Sequence, residues 1–165
     1  MGKDIAKTCW QVLGLGVIAG MRSMSAPALA SRYLVKDPSA ALEYTHLAFL
    51  QSPQVADVLK WLAAGEMAGD KIPGIPDRIT PPSLFARGLS GALVGAALFK
   101  ANQGNMGAGA LLGSAAAMAG AYGSFYLRKE LKHRSGIADP ILGVLEDALV
   151  LKSGSAMLEK ERAAE

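Results

Sequence analysis

The stretch GLGVIAGMRSMSAP, residues 14–27, decides the fold. Its Gly14-x-Gly16-x-x-x-Gly20 spacing lies close to a dinucleotide fingerprint, which would make the chain an α/β protein with a phosphate cradle. That fingerprint needs a buried strand before the turn, and residues 8–13 carry no strand signature. As helix, Gly16 and Gly20 instead form a GxxxG packing face, a motif repeated at Gly65 and Gly69, Gly91 and Gly95, and Gly109 and Gly113. The stretch is then a glycine-rich helix interrupted at residues 21–27, where Pro27 and the Ser23 and Ser25 hydroxyls compete with helical hydrogen bonds.

The remainder of the chain favours this helical reading. Of 165 residues, 51% are hydrophobic and 19% charged, yet the apolar content is small: 29 are alanine and 19 glycine. Such side chains fill a water-driven core poorly but let helix backbones approach closely in lipid. Residues 101–127 form a 27-residue run without a formal charge, longer than the roughly 20 residues that cross hydrocarbon. Directly after it comes the one dense basic cluster, Arg128-Lys129-Glu130-Leu131-Lys132-His133-Arg134, the mark of a cytoplasmic end. No basic face with interleaved aromatics indicates nucleic acid. The single cysteine, Cys9, excludes an intramolecular disulfide and a cysteine-clustered zinc site.

The predicted fold class is all-α, a polytopic helical membrane protein with about five transmembrane or re-entrant helices. One interrupted helix covers residues 5–33, and further helices cover 54–72, 83–101, 106–131 and 140–151. The prolines of residues 73–82 form the one linker, and residues 42–50 read as a short interfacial helix. A single membrane-embedded domain spans residues 1–158, followed by a polar tail at 159–165. Alternation from a cytoplasmic Arg128 cluster places the N-terminus on the cytoplasmic side as well. Ala19-Gly20 matches Ala119-Gly120, and Val55-Ala56-Asp57 resembles Ile137-Ala138-Asp139. These pairings predict an inverted repeat of helices 1–2 against 4–5, with halves 5–73 and 105–154 around the intervening helix 83–101.

Few residues are placed to carry chemistry. Arg22 follows fourteen uncharged residues and has two readings: an anion pocket at a half-helix terminus with Ser23 and Ser25, or a snorkelling interfacial arginine. Glu66 and Asp70, four apart on one helix face, suit a proton relay or a hard-cation site, or they mark a solvated helix end beside Lys71, Arg78 and Arg87. Glu146 and Asp147 interrupt an otherwise uncharged run, either as intramembrane carboxylates or as a solvated helix face. Glu66, Asp70, Glu146 and Asp147 are the candidate metal ligands. No Ser–His–Asp or Cys–His arrangement stands out, so neither an enzymatic activity nor a cofactor is expected.

Gly20-Met21-Arg22-Ser23 with Pro27, Gly65-Glu66-x-x-x-Asp70-Lys71-x-Pro73, Pro76-x-Arg78, Pro82-x-x-x-x-Arg87-x-x-x-Gly91-Ala92 and Glu146-Asp147 together resemble the bacterial membrane family DUF4126. That resemblance implies an integral membrane protein and carries no assigned activity. Glu66-Met67-Ala68-Gly69-Asp70-Lys71 is similar to the E-x-G-D-K-[ST] signature of manganese or calcium exporters, with one inserted residue and Ile72 where Ser or Thr stands. Gly20-Met21-Arg22-Ser23 is similar to part of the glycine, arginine and serine motif of undecaprenyl pyrophosphate phosphatase.

The expected function is a small permease or exchanger of the bacterial cytoplasmic membrane, binding an ion or small charged solute through these acidic groups and arginines. A lipid-phosphate-binding protein and a noncatalytic assembly protein are the alternatives. The expected partners are the lipid bilayer, a second copy in a dimer, and an ion or anionic lipid, without nucleic acid.

Overall fold

The computed structural model describes residues 2–69, 80–135 and 139–159. The described chain is all-helical, with α1 (Gly2–Met21), α2 (Ser25–Lys36), α3 (Ala40–Glu43), a 3-10 turn (Ala48–Gln51), α4 (Pro53–Gly69), α5 (Pro81–Ala101), α6 (Met106–Ser135) and α7 (Asp139–Glu159). No strand occurs among the described residues. α5 begins at Pro81, inside the sequence-predicted linker, because proline is tolerated in a first helical turn where its missing N–H has no intrahelical partner. Residues 73–79 of that linker and 160–165 of the polar tail lie outside the described residues.

α1, α5 and α6 form the central slab, and glycine determines how closely they meet. Val12, Leu15, Ile18 and Ala19 bury one face of α1. On α6 the small residues Gly109, Gly113, Ala116, Ala117, Gly120 and Ala121 form the matching stripe, at the three- and four-residue spacing of one helix face. A Cβ on Gly120 would stand 2.5 Å from the Val17 carbonyl oxygen, and one on Gly20 would collide with the Ala117 carbonyl. Gly91 and Gly113 likewise meet backbone to backbone, as do Gly95 and Gly109. Three of the four GxxxG motifs are therefore consumed within the chain. The fourth is not: a side chain at Gly65 or Gly69 on α4 would meet nothing within 4 Å among the described residues.

These contacts fix the helix directions. Gly16 faces Gly113 and Ala116, while Gly20 faces Ala117 and Ala121, so α1 and α6 run parallel. α5 is antiparallel to both, with Arg87 beside Gly20 and Gly95 beside Val12. Between α1 and α2 the chain turns back on itself at residues 22–24. α2 starts where Ser90 reaches Ser23 and ends where Ser39 donates to the Ala101 carbonyl at 2.9 Å, so it runs alongside α5. Leu34, Leu42, Leu47 and Leu50 close that end against Ala97. α4 returns to the reversal, and α7 descends from Arg128, near Gly143, to Ile18 and Leu29, near Gly154.

This geometry changes the topology drawn from sequence. The predicted interrupted helix of residues 5–33 is two antiparallel legs, and the extra leg puts the start of α1 at the end opposite the Arg128 cluster. The parallel course of α1 and α6 also does not fit an inverted repeat. Ala19-Gly20 and Ala119-Gly120 look alike because both serve one close crossing, where each glycine admits the other helix's backbone. α5 is the one helix among the described residues that is long and apolar enough to cross a membrane by length and composition, with a mean hydropathy of 1.3 in its best window.

Candidate functional site

The reversal between α1 and α2 is where the buried charges gather. A helix end leaves backbone groups without intrahelical partners, and here two helix ends abut inside the bundle. α2 has no side-chain cap of its own, since its N-cap position is Met24. Glu66 of α4 supplies one. Its Oε1 accepts from the Ser23 N–H at 2.8 Å and the Ser23 hydroxyl at 2.9 Å, and its Oε2 accepts from the Met24 N–H at 2.8 Å. A carboxylate at a helix N-terminus also meets the positive end of the macrodipole.

The last carbonyls of α1 are served from α5. Arg87 Nη1 donates to the Gly20 carbonyl at 2.5 Å and the Met21 carbonyl at 2.8 Å, and Arg87 Nε donates to Ser83 Oγ at 3.1 Å. The Ser90 hydroxyl donates to the Ser23 carbonyl. Ser83, Arg87 and Ser90 share one face of α5, so a four-then-three spacing aims all three toward the reversal. Sequence reading missed Ser83 and Ser90, and this spacing around Arg87 was the available signal.

Arg22 is the largest fully buried side chain among the described residues, at 1% exposure. Its Nη2 lies 2.8 Å from Asp147 Oδ1 on α7. Burial on this scale excludes the snorkelling arginine, because a snorkelling head group stays in water. Asp147 is buried too, so the solvated-face reading fails for it. The pair is charge against charge: Asp147 Oδ1 accepts no aligned hydrogen bond among the described residues. Ser25, 2% exposed, has a buried hydroxyl with no hydrogen-bond partner among them.

The sequence-predicted residues thus divide. Arg22, Ser23, Ser25, Glu66, Arg87 and Asp147 converge on the reversal. Asp70, Lys71 and Arg78 lie outside the described residues, as does the side chain of Glu146. The two described carboxylates do not face each other as a cation cage would need. Glu66 spends its oxygens on the start of α2, and Asp147 opposes Arg22. No group of three or more potential metal-ligating side chains occurs among the described residues. His46 and His133 are exposed and far from the reversal in sequence.

The site's polar atoms are donors at the start of a helix and two carboxylates brought to them from different helices. Such an arrangement holds negative charge against backbone N–H groups and a guanidinium inside the protein. No curated protein and no solved structure matches the chain. A family model described as a domain of unknown function, DUF4126, matches residues 10–158, and the chain belongs to that family.

Proposed function

We propose that the chain is a multi-pass protein of the bacterial cytoplasmic membrane that binds a small ion or charged solute at the α1–α2 reversal and acts as a permease or exchanger, without enzymatic activity. The observation carrying this reading is the convergence of Arg22, Arg87, Glu66 and Asp147, on four different elements or turns, at the one reversal. Buried charge is costly, and a cluster that only compensates itself contributes little net stability. At 1.5 Å per residue, the reversal lies about 12 Å from Arg128 and about 21 Å from the start of α6, measured along α6 from Gly120.

The surface supports lipid as the surroundings. Trp10 is 74% exposed and Leu111 75%, and Trp61, Phe85, Leu145 and Leu149 also point outward, while Arg22, Arg87, Asp147, Ser25, Ser31 and Ser90 are inside. Apolar outside and polar inside is the distribution hydrocarbon favours. The outward Gly65 and Gly69 face supports a dimer through α4.

A second reading, a noncatalytic helix-locking protein, is favoured by one observation: Glu66 and Arg87 spend their groups on backbone N–H and carbonyl partners. Reconstitution separates the two. Proteoliposomes of the permease show solute-dependent flux that Asp147→Asn changes, while a locking protein shows none with any charged solute and loses only thermal stability. The lipid-phosphate alternative draws less support, because Arg22 is enclosed by protein.

A further inference from the structure

We propose that the α1–α2 reversal is a binding site for a small oxyanion, with Arg22 and Ser25 as its donors and Asp147 as an internal anion that the guest replaces. The inference deepens the reading of the reversal as a solute site by naming the class of solute, and it rests on that reading.

Three observations carry it. The first is the sign of the site. Arg22 precedes the first turn of α2, whose N-terminus adds positive potential, so once Asp147 is displaced from Arg22 an anion guest meets attraction there and a cation guest repulsion. The second is that protein carboxylates already occupy this end of α2 from two directions, Glu66 from α4 and Asp147 from α7. A carboxylate is itself an oxyanion, so these contacts show the geometry a guest would reproduce.

The third is the Ser25 hydroxyl, which is buried and without a hydrogen-bond partner among the described residues. An unsatisfied buried hydroxyl is expensive, so its persistence needs a reason. Its position supplies one. α2 and α7 run parallel, with Leu29 against Gly154. Ser25 lies one turn before Leu29 on the same face of α2, and Val150 lies one turn before Gly154 on α7, with Asp147 just beyond it. This register puts Ser25 on the α2 surface that faces α7, level with Val150 and within a turn of Asp147. Asp147 Oδ1 is also without an aligned hydrogen bond, so the internal anion fits the donors imperfectly. An oxyanion with two or three free oxygens can meet both donors together.

Asp147 makes the site selective by competition. While its carboxylate opposes Arg22, a guest must displace it, and neutralising that one side chain raises the affinity for the guest. Arg87 and Glu66 are held by the ends of α1 and α2, and Arg128 lies a turn away beside Gly143, so Asp147 is the group that exchanges.

The test is thermal unfolding of the full chain in detergent, titrated with sodium formate, acetate or phosphate against sodium chloride at equal ionic strength. Asp147→Asn is expected to show a saturable rise in melting temperature, with half-saturation at least about tenfold below wild type. Adding Ser25→Ala to that variant should weaken binding about tenfold, the size of one hydrogen bond to a charged group. Adding Arg22→Met should abolish it. Should Asp147→Asn fail to fold, the same titration of wild type, with Ser25→Ala as its control, decides the matter.

A second arm distinguishes free from lipid-borne oxyanion. Nanodiscs of phosphatidylcholine with or without phosphatidic acid are compared, and stabilisation by the acidic lipid that needs Arg22 assigns the guest to a headgroup. Unfolding that responds no differently to any of these oxyanions than to chloride, or a response that survives Arg22→Met, overturns the proposal. Saturable binding without flux in proteoliposomes keeps the site and removes the permease, whereas flux without such binding does the reverse.

Discussion

Glu66 grips Ser23 twice, at its backbone N–H and at its hydroxyl, across 43 residues of sequence. One carboxylate from α4 thereby does what a serine or aspartate N-cap does locally in other helices. Glu66→Gln keeps an acceptor but loses the charge and the fit at one oxygen, and a destabilisation of about 1–3 kcal/mol is expected. Chemical unfolding of the purified protein measures it. A change below a few tenths would mean that α2 starts without help from α4.

Arg87→Met leaves the Gly20 and Met21 carbonyls without their donor in a buried place. The expected cost is about 1–3 kcal/mol for each unsatisfied group. Arg87→Lys restores charge but not the two-carbonyl reach together with the Ser83 contact, so it should recover only part of the loss. Equal stability of the lysine variant and the parent counts against this account.

Arg22 and Asp147 should behave as a coupled pair. Removing either alone leaves an uncompensated buried charge, at a cost of about 3–5 kcal/mol. The double replacement Arg22→Met with Asp147→Leu should cost well below the sum of the single changes. A double-mutant cycle gives the coupling directly, and additive losses would falsify the pairing.

Two glycines of α6 should respond in opposite ways. Gly113→Val drives a side chain into the Gly91 carbonyl and should prevent the slab from assembling. A Cβ on Gly123 would meet nothing within 4 Å among the described residues, so Gly123→Ala should be neutral or stabilise by up to about 1 kcal/mol through helix propensity. Melting temperatures of the two variants check both signs.

The α4 face gives a cross-linking prediction. With Cys9 replaced by serine, Gly65→Cys should join two copies through a disulfide under oxidation, while a cysteine at Ser124, partly buried on α6, should not. Absence of the dimer band under oxidation counts against a dimer through α4.

Most helices were legible in the sequence because their small-residue stripes recur at helical spacing, and because Pro27 and the serines punctuate the chain at the reversal. The direction of the chain after that break was not legible. An interruption within one leg and a turn between two legs have the same local signature, and only the contacts of Ser23 with Ser90 and Glu66 distinguish them. The same limit applied to the carboxylates. Glu66 and Asp70 at four-residue spacing suggested a shared guest, but the backbone N–H groups that Glu66 accepts from carry no residue-type signal. That Arg22, Ser23 and Ser25 gather at a helix break was readable, since a lone guanidinium beside such a break is unusual on its own.

The glycine contacts of the slab have a mechanical corollary. Where α1, α5 and α6 touch main chain to main chain, no pliable side chains lie between them to accommodate sliding, so those three rods form the stator of the molecule. Any cycle of opening and closing falls to the flanking α4 and α7, the two rods that each carry one carboxylate to the same spot.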